Sequence, residues 1–117
     1  MAGKLTTHVL DTARGRPAAG MRVELFRVMA NGIVQLEKTL TNVDGRTPSA
    51  LLFGEGMKPA TYRLLFFVGE YFANSAAPDA MRFLDVVPVQ FNIDDPTANY
   101  HVPLLVSPWA YSTYRGS

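Results

Sequence analysis

Apolar and polar residues alternate with a period of two along most of the chain. Within 21–29, for example, Val23 and Leu25 fall on one face and charged residues fall on the other. This alternation is typical of a β-strand with one buried face. The stretches with strand character are 5–10, 21–29, 33–41, 62–68, 86–93, 99–107 and 109–115.

Turn signals separate these stretches. An Asn-Gly pair at 31–32 predicts a tight hairpin, because both residues tolerate positive φ, and an Asp-Gly pair at 44–45 predicts a second turn. Only 70–77 has helical character, and Pro78 is expected to end it. The pattern predicts an all-β fold, an antiparallel sandwich of about eight strands with one short α-helix, in a single domain over 1–117.

One predicted strand, 62–68, is apolar on both faces. Leu64 and Phe66 share one face, and Leu65 and Phe67 share the other. The outer face of a two-layer sandwich normally meets water. Either another subunit buries this outer face, or the short helix covers half of it.

Composition narrows the class of protein. With 117 residues, 48% hydrophobic and 18% charged, the chain has the balance of one ordinary globular domain. The net charge of +1, without a basic cluster, predicts no nucleic-acid partner. The chain has no cysteine, which excludes disulfides and thiolate metal sites. No stretch has the length of a membrane span or the pattern of a signal peptide, so we expect no membrane contact and a cytoplasmic location.

The candidates for chemistry are few. His8 and His101 are the two histidines, and Arg46 directly follows the second predicted turn. Each is more often a structural or solvated residue, but two histidines can form a proton-transfer pair near neutral pH. An arginine can orient a polar ligand through paired hydrogen bonds. Two histidines without clustered carboxylates are too few for zinc, so we predict no metal and no cofactor.

The carboxyl terminus, "AYSTYRGS" (110–117), is unusual for a chain end. Terminal segments generally fray and are generally small and polar. This one holds Tyr111, Tyr114 and Arg115, whose side chains lose rotamer entropy when they become ordered. The tail is therefore either docked against the protein or accidental.

Three segments together resemble one family, the transthyretin-related 5-hydroxyisourate hydrolases. They are "THVLDTARGRPAAGMRVEL" (7–25), "TNVDGRT" (41–47) and "YHVPLLVSPWAYSTYRGS" (100–117), and the resemblance runs from residue 5 to the end. Its most specific element is the terminal "YRGS". The resemblance implies a transthyretin-like (prealbumin-like) sandwich. It also implies a homotetramer with active sites at the subunit interface, which would account for the doubly apolar strand.

The resemblance also implies a reaction, hydrolysis of 5-hydroxyisourate to 2-oxo-4-hydroxy-4-carboxy-5-ureidoimidazoline in urate degradation, without a cofactor. The family's catalytic positions map onto His8, Arg46, His101 and Ser117, and its substrate-binding positions onto His8, Arg46, Tyr114 and Ser117. Water activated by histidine would attack a ring amide. Which histidine is the general base stays open at this point.

Two other hypotheses compete with the enzyme. A non-catalytic small-molecule carrier of the transthyretin type would bind an aromatic ligand tightly without turnover. A purely structural sandwich module is the third hypothesis. The histidine pair and the "YRGS" tail favour the enzyme, because neither alternative predicts them.

Overall fold

The computed structural model describes residues 2–74 and 83–116, which form two packed β-sheets and one short α-helix. The strands are β1 (Lys4–Asp11), β2 (Arg16–Pro17), β3 (Arg22–Met29), β4 (Gly32–Leu40), β5 (Leu52–Phe53), β6 (Ala60–Phe66), β7 (Val87–Ile93), β8 (Tyr100–Val106) and β9 (Tyr111–Thr113). Each predicted stretch overlaps one strand of three or more residues. The two-residue strands β2 and β5 were not predicted.

The helix α1 spans Val68–Ala73, so it begins two residues before the predicted segment 70–77. Its start is set by tertiary contacts, since Val68 and Phe72 are buried against the sandwich. The predicted end at Pro78 lies outside the described residues.

The strands form one sheet in the order β2-β1-β8-β9, with β5 also paired to β1, and a second in the order β4-β3-β6-β7. All described strand pairings are antiparallel, as predicted, except that of β1 with β8, which is parallel. Parallel neighbours cannot be joined by a tight hairpin. Between β1 and β8 the chain forms the four strands of the second sheet and then returns to the first.

The core lies between the two sheets. Residues of β1 alternate, so that those facing inward are buried and those facing outward are half-buried or exposed. The apolar residues of the central strands that are completely buried are Leu5, Val9, Val23, Leu25, Leu64, Phe66, Leu104 and Val106. Burial of one large apolar side chain stabilises a fold by about 1.5–3 kcal/mol, so this layer holds β1 and β8 firmly in place. The outer face of β1 and β8 remains available for function.

The β3–β4 hairpin exists as predicted, with its turn one residue earlier. Met29 pairs with Gly32, which leaves Ala30 and Asn31 in the turn. Gly32 adopts φ 147°, and within the described residues only glycines have positive φ. The glycine therefore takes the unusual backbone angle beside the turn, and Asn31 does not share it.

The doubly apolar segment 62–68 is partly covered within its own chain. Leu65 and Phe67 are half-buried. The Arg22 guanidinium lies 3.7 Å from the centre of the Phe67 ring and donates a 3.3 Å hydrogen bond to Glu70 of α1. Coverage of the remainder by another subunit stays a prediction.

Candidate active site

Arg46 reaches β1 through the turn at Asp44 and Gly45. The Asn42 side-chain oxygen accepts hydrogen bonds from the backbone N–H groups of Asp44, at 2.9 Å, and Arg46, at 3.2 Å. This closed turn is the type that asparagine favours. Arg46 then pairs with His8 as an isolated antiparallel bridge. The Asn42 side chain therefore fixes the position of the Arg46 backbone.

Gly45 is required for this close approach. Its φ is 76°, and a Cβ at this position would overlap the carbonyl oxygen of Val9. The backbone N–H of Val9 donates to the Gly45 oxygen at 2.8 Å. A side chain at residue 45 would separate the turn from β1 and move Arg46 away from His8.

The His8 side chain is held by the same turn. Its Nε2 lies 2.8 Å from the backbone oxygen of Asp44. Because a carbonyl oxygen only accepts hydrogen bonds, Nε2 of the neutral ring carries the hydrogen and Nδ1 does not. His8 is half-buried, on the outer face of β1.

His101 lies on β8, beside both β1 and the tail. In the parallel register it is the partner of Thr6, and its Nδ1 is 2.9 Å from Thr6 Oγ1. On the other side the Gly116 N–H donates to the His101 backbone oxygen at 2.7 Å. His8 and His101 thus lie on the same face of adjacent strands. His8 is two residues along β1 from Thr6, the strand partner of His101.

The tail is docked. The antiparallel register that pairs Leu104 with Thr113 continues unchanged to the bridge between His101 and Gly116. Pro103, between these pairs, has no N–H to donate, and its carbonyl accepts a 2.7 Å hydrogen bond from the Thr113 hydroxyl. This arrangement explains why large residues occur so near the end of the chain.

Arg115 attaches the tail to the body of the domain. Its guanidinium donates to the Asn99 carbonyl at 3.1 Å and lies 4.2 Å from the centre of the Tyr100 ring. A cation over an aromatic face contributes about 0.5–1 kcal/mol at an exposed site. Arg115 is therefore better explained as an anchor of the tail than as a free surface charge.

The electrostatic surroundings favour a neutral His101. Burial is the largest cause that lowers the pKa of His101, followed by electrostatic repulsion from the Arg46 guanidinium and from His8 when that ring is protonated. A hydrogen bond from the ring to the Thr6 backbone raises the pKa but does not outweigh these effects. A neutral imidazole can accept a proton at pH 7.

A cleft of about 550 Å³ opens beside these residues. Its lining residues are Lys4, Thr6, Thr7, Arg46, Thr47, Pro48, Ser49, Ala50, Asn99 and His101. The volume suits a small molecule. The lining includes two cationic side chains and no carboxylate, so it favours a ligand rich in carbonyl oxygens or negative charge. Arg46, which is exposed, makes no side-chain hydrogen bond or ion pair with another described residue.

The structure does not bring every predicted site residue into this cleft. His8 adjoins Arg46 but does not line the cleft. Tyr114 is 61% exposed and lines a different cavity, of about 400 Å³, together with Phe91 and Tyr100. Ser117 lies outside the described residues.

Most residues of these surroundings were not selected from the sequence, and four of them bear on the chemistry of the site. Lys4, Thr6 and Asn99 line the cleft, and Gly116 contacts His101. The sequence did place Thr6 on the same outward face of β1 as His8. Selecting Thr6 as a site residue would also have required the parallel pairing of β1 with β8, which brings it beside His101.

Across residues 2–74 and 83–116, no group of three or more His, Cys, Asp or Glu side chains is arranged to hold a metal ion. No helix in this part of the chain has the length and apolar character needed to cross a membrane.

Comparison with known proteins identifies the class. The model of the HIUase/Transthyretin family matches residues 5–116, and the chain belongs to that family. It is 51% identical over 119 residues to the 5-hydroxyisourate hydrolase of Halalkalibacterium halodurans, covering 100% of each chain.

Two solved structures extend the comparison. The structure of Klebsiella pneumoniae 5-hydroxyisourate hydrolase is 31% identical with a TM-score of 0.79, over 98% of this chain and 99% of that one. A solved (S)-allantoin synthase is 45% identical with a TM-score of 0.88, over 99% of this chain. This chain spans only 44% of that longer protein. The transthyretin-like sandwich predicted from the sequence is confirmed.

Proposed function

We propose that this protein hydrolyses 5-hydroxyisourate to 2-oxo-4-hydroxy-4-carboxy-5-ureidoimidazoline. The observation that carries the proposal is one cleft lined by Arg46 and His101, with the carboxyl-terminal tail docked on His101. Full-length relatives named for this activity support the choice of substrate. The enzyme class is hydrolase.

His101 is the general base in this proposal. The lowered pKa of His101 keeps the ring neutral at pH 7, so it can remove a proton from water. The water oxygen forms a bond to a ring amide carbonyl carbon, and the adjacent ring C–N bond then breaks. The proton taken from water is delivered to the leaving nitrogen, so that one water is consumed and no other reactant is needed.

Arg46 and His8 act on the substrate side of the reaction. The unpaired Arg46 guanidinium is a fork of donors for carbonyl oxygens, and it stabilises the oxyanion that develops when water attacks. His8 is the second acid–base group, with Nδ1 available because Nε2 is bonded to Asp44. Tyr114 and Ser117 are proposed to contact substrate and exclude bulk water.

We further propose a homotetramer with active sites at the subunit interface. Three observations support it. Strand β9, at the edge of its sheet, is exposed along its whole length. Trp109 and Tyr114 are each 61% exposed. The cleft of one chain is open. A second subunit packed over the outer face of β1 and β8 would close the cleft and place its own Tyr114 near it.

Sedimentation velocity would test the assembly, and a monomer at working concentration would contradict it.

The activity is tested by generating 5-hydroxyisourate in the cuvette from urate with urate oxidase and following its ultraviolet decay. Decay faster than the spontaneous rate, in proportion to protein concentration, is the expected result. His101→Gln at the same concentration is the matched control, since it keeps a planar polar side chain but lacks the imidazole. Spontaneous-rate decay with folded wild-type protein would refute the hydrolase.

The same samples test the carrier alternative. Tight equilibrium binding of an aromatic ligand, without turnover and with tolerance of His8→Gln, would favour the carrier. The cytoplasmic location stays a prediction.

A further inference from the structure

The ring of His101 is contacted along two opposite edges. Thr6 Oγ1 lies 2.9 Å from Nδ1. On the other edge, a Cβ built on Gly116 would lie 2.7 Å from Cδ2 and 3.4 Å from both Cβ and Cγ of His101. Real Cβ atoms essentially never approach to 2.7 Å, so the Gly116 position has room for glycine alone unless the ring moves. Cε1 and Nε2 are the ring atoms outside these two contacts, and His101 lines the cleft.

The backbone places both contacts. Thr6 is the partner of His101 in the parallel pairing of β1 with β8, and Gly116 is its partner in the antiparallel pairing with the tail. Residues directly opposite on neighbouring strands share a face of the sheet. His101 therefore has one contact residue on each neighbouring segment, and neither contact depends on a flexible long side chain.

A threonine hydroxyl can donate or accept a hydrogen bond, so the 2.9 Å contact with Nδ1 is a hydrogen bond in either ring tautomer. With the hydrogen on Nδ1, the hydroxyl oxygen accepts it. In a neutral imidazole the other nitrogen, Nε2, has the free lone pair.

We propose that Thr6 and Gly116 are positioning residues for His101: Thr6 retains the hydrogen on Nδ1, and Gly116 packs on the Cδ2 edge, so that the Nε2 lone pair faces the cleft. The catalytic consequence rests on the proposed hydrolase, because Nε2 is then the atom that removes the proton from water. The tautomer itself does not rest on it. Where a histidine binds a metal, removal of the group that orients it typically costs about 10–100-fold, and we expect an effect of this size here.

The first test needs no variant. The sequence has only two histidines, so ¹⁵N NMR of the imidazole rings gives two sets of signals, assigned with His8→Gln. Neutral His101 should show the Nδ1–H form. His8, bonded through Nε2 to a carbonyl, should show the opposite form. An Nε2–H form of His101 in the folded wild-type protein would overturn the proposal, whatever the activity.

Thr6→Val and Thr6→Ser test the hydroxyl. Valine keeps the shape and should lower the Nδ1–H population of His101 and reduce kcat about tenfold, with KM little changed. Serine keeps the hydroxyl and should remain within about threefold of wild type. Thr61→Val, which also removes a strand hydroxyl bonded to a side chain at 2.6 Å, is the control and should change neither reading. Unchanged tautomer and kcat in Thr6→Val would refute the role of Thr6.

Gly116→Ala tests the second contact. The methyl group should displace the His101 ring, shift its ¹⁵N and ¹³C signals and lower kcat about tenfold or more. Gly56→Ala is the matched control, because a Cβ there meets only Leu52 Cδ2 at 3.9 Å. His101 signals that do not move in Gly116→Ala would refute the contact. An inactive wild type with the Nδ1–H form would refute the proposed function and leave the positioning of His101 standing.

Discussion

The surroundings of the two histidines differ in a way that separates their roles. His8 is held at Nε2 by the backbone of an exposed turn, whereas His101 is held at Nδ1 by a neighbouring strand and packed against the tail. They consequently present opposite nitrogens. A pair of histidines with complementary free nitrogens suits a reaction in which a proton is taken from one atom and given to another.

The two regions also use glycine differently. Gly45, on the His8 side, has a positive φ and packs against the backbone of β1. Gly116, on the His101 side, makes room for an aromatic ring. The first glycine determines where the chain runs, and the second determines where a side chain can lie. Four experiments test these differences.

The largest effect is expected from the histidines themselves. His101→Gln should lower kcat by about 10²–10⁴-fold, the range for loss of a general base. His8→Gln should also cost more than tenfold, but less than His101→Gln, because His101 is the proposed general base. Progress curves of 5-hydroxyisourate decay give both numbers. An inactive His8→Gln beside a nearly normal His101→Gln would reverse the assignment.

Deletion of residues 114–117 should reduce kcat about 100-fold, the scale of losing a fixed group that stabilises the transition state. The deletion removes Gly116 from His101 together with Tyr114 and Ser117. Sedimentation velocity on the same sample shows whether the assembly is intact. Arg115→Ala removes only the contacts of the tail with Asn99 and Tyr100, so it should reduce kcat less than the deletion. Full activity in the deletion with unchanged assembly would exclude the tail from the site.

Gly45→Ala should destabilise the fold by about 1–3 kcal/mol, because alanine is strained at φ 76° and its methyl group would overlap the Val9 oxygen. Urea unfolding monitored by the single tryptophan measures the loss. Gly15→Ala is a useful control, since Gly15 has φ 69° with nothing within 4 Å of its Cβ position. Equal losses in the two variants would mean that the contact with β1 contributes nothing.

The smallest effect is a change of pKa in Arg46→Gln. The positive charge of Arg46 lowers the pKa of His101, so its removal should raise that pKa. Because the base works in its neutral form, the acid limb of the kcat/KM profile should then move to higher pH. NMR titration of His101 tests the shift even if the variant is slow, with Arg63→Gln on the other sheet as control. A fall in the pKa would contradict the arrangement.

Much of the fold was predictable because period-two alternation marks several of the long strands, and β1, β6 and β7 show it in their burial. The turn at Asp44 and Gly45 was predictable from its glycine, and so was the position of Arg46 just beyond it. The parallel pairing of β1 with β8 was not. Local pattern carries no information on which distant strand becomes a neighbour or in which direction it runs. The site residues followed from the resemblance, and Thr6 was missed because its hydroxyl matters only beside His101.

Residue type and near neighbours along the chain fix most of the strands, the turns, the absence of thiol chemistry and the few side chains able to transfer protons. Which nitrogen of each histidine is engaged, which glycine contacts a ring and which residues share a cleft follow from the folded arrangement alone. Those properties depend on contacts between segments such as Thr6 and His101, which are 95 residues apart in the chain. The burial of the core between the two sheets is what holds such distant segments at hydrogen-bonding distance.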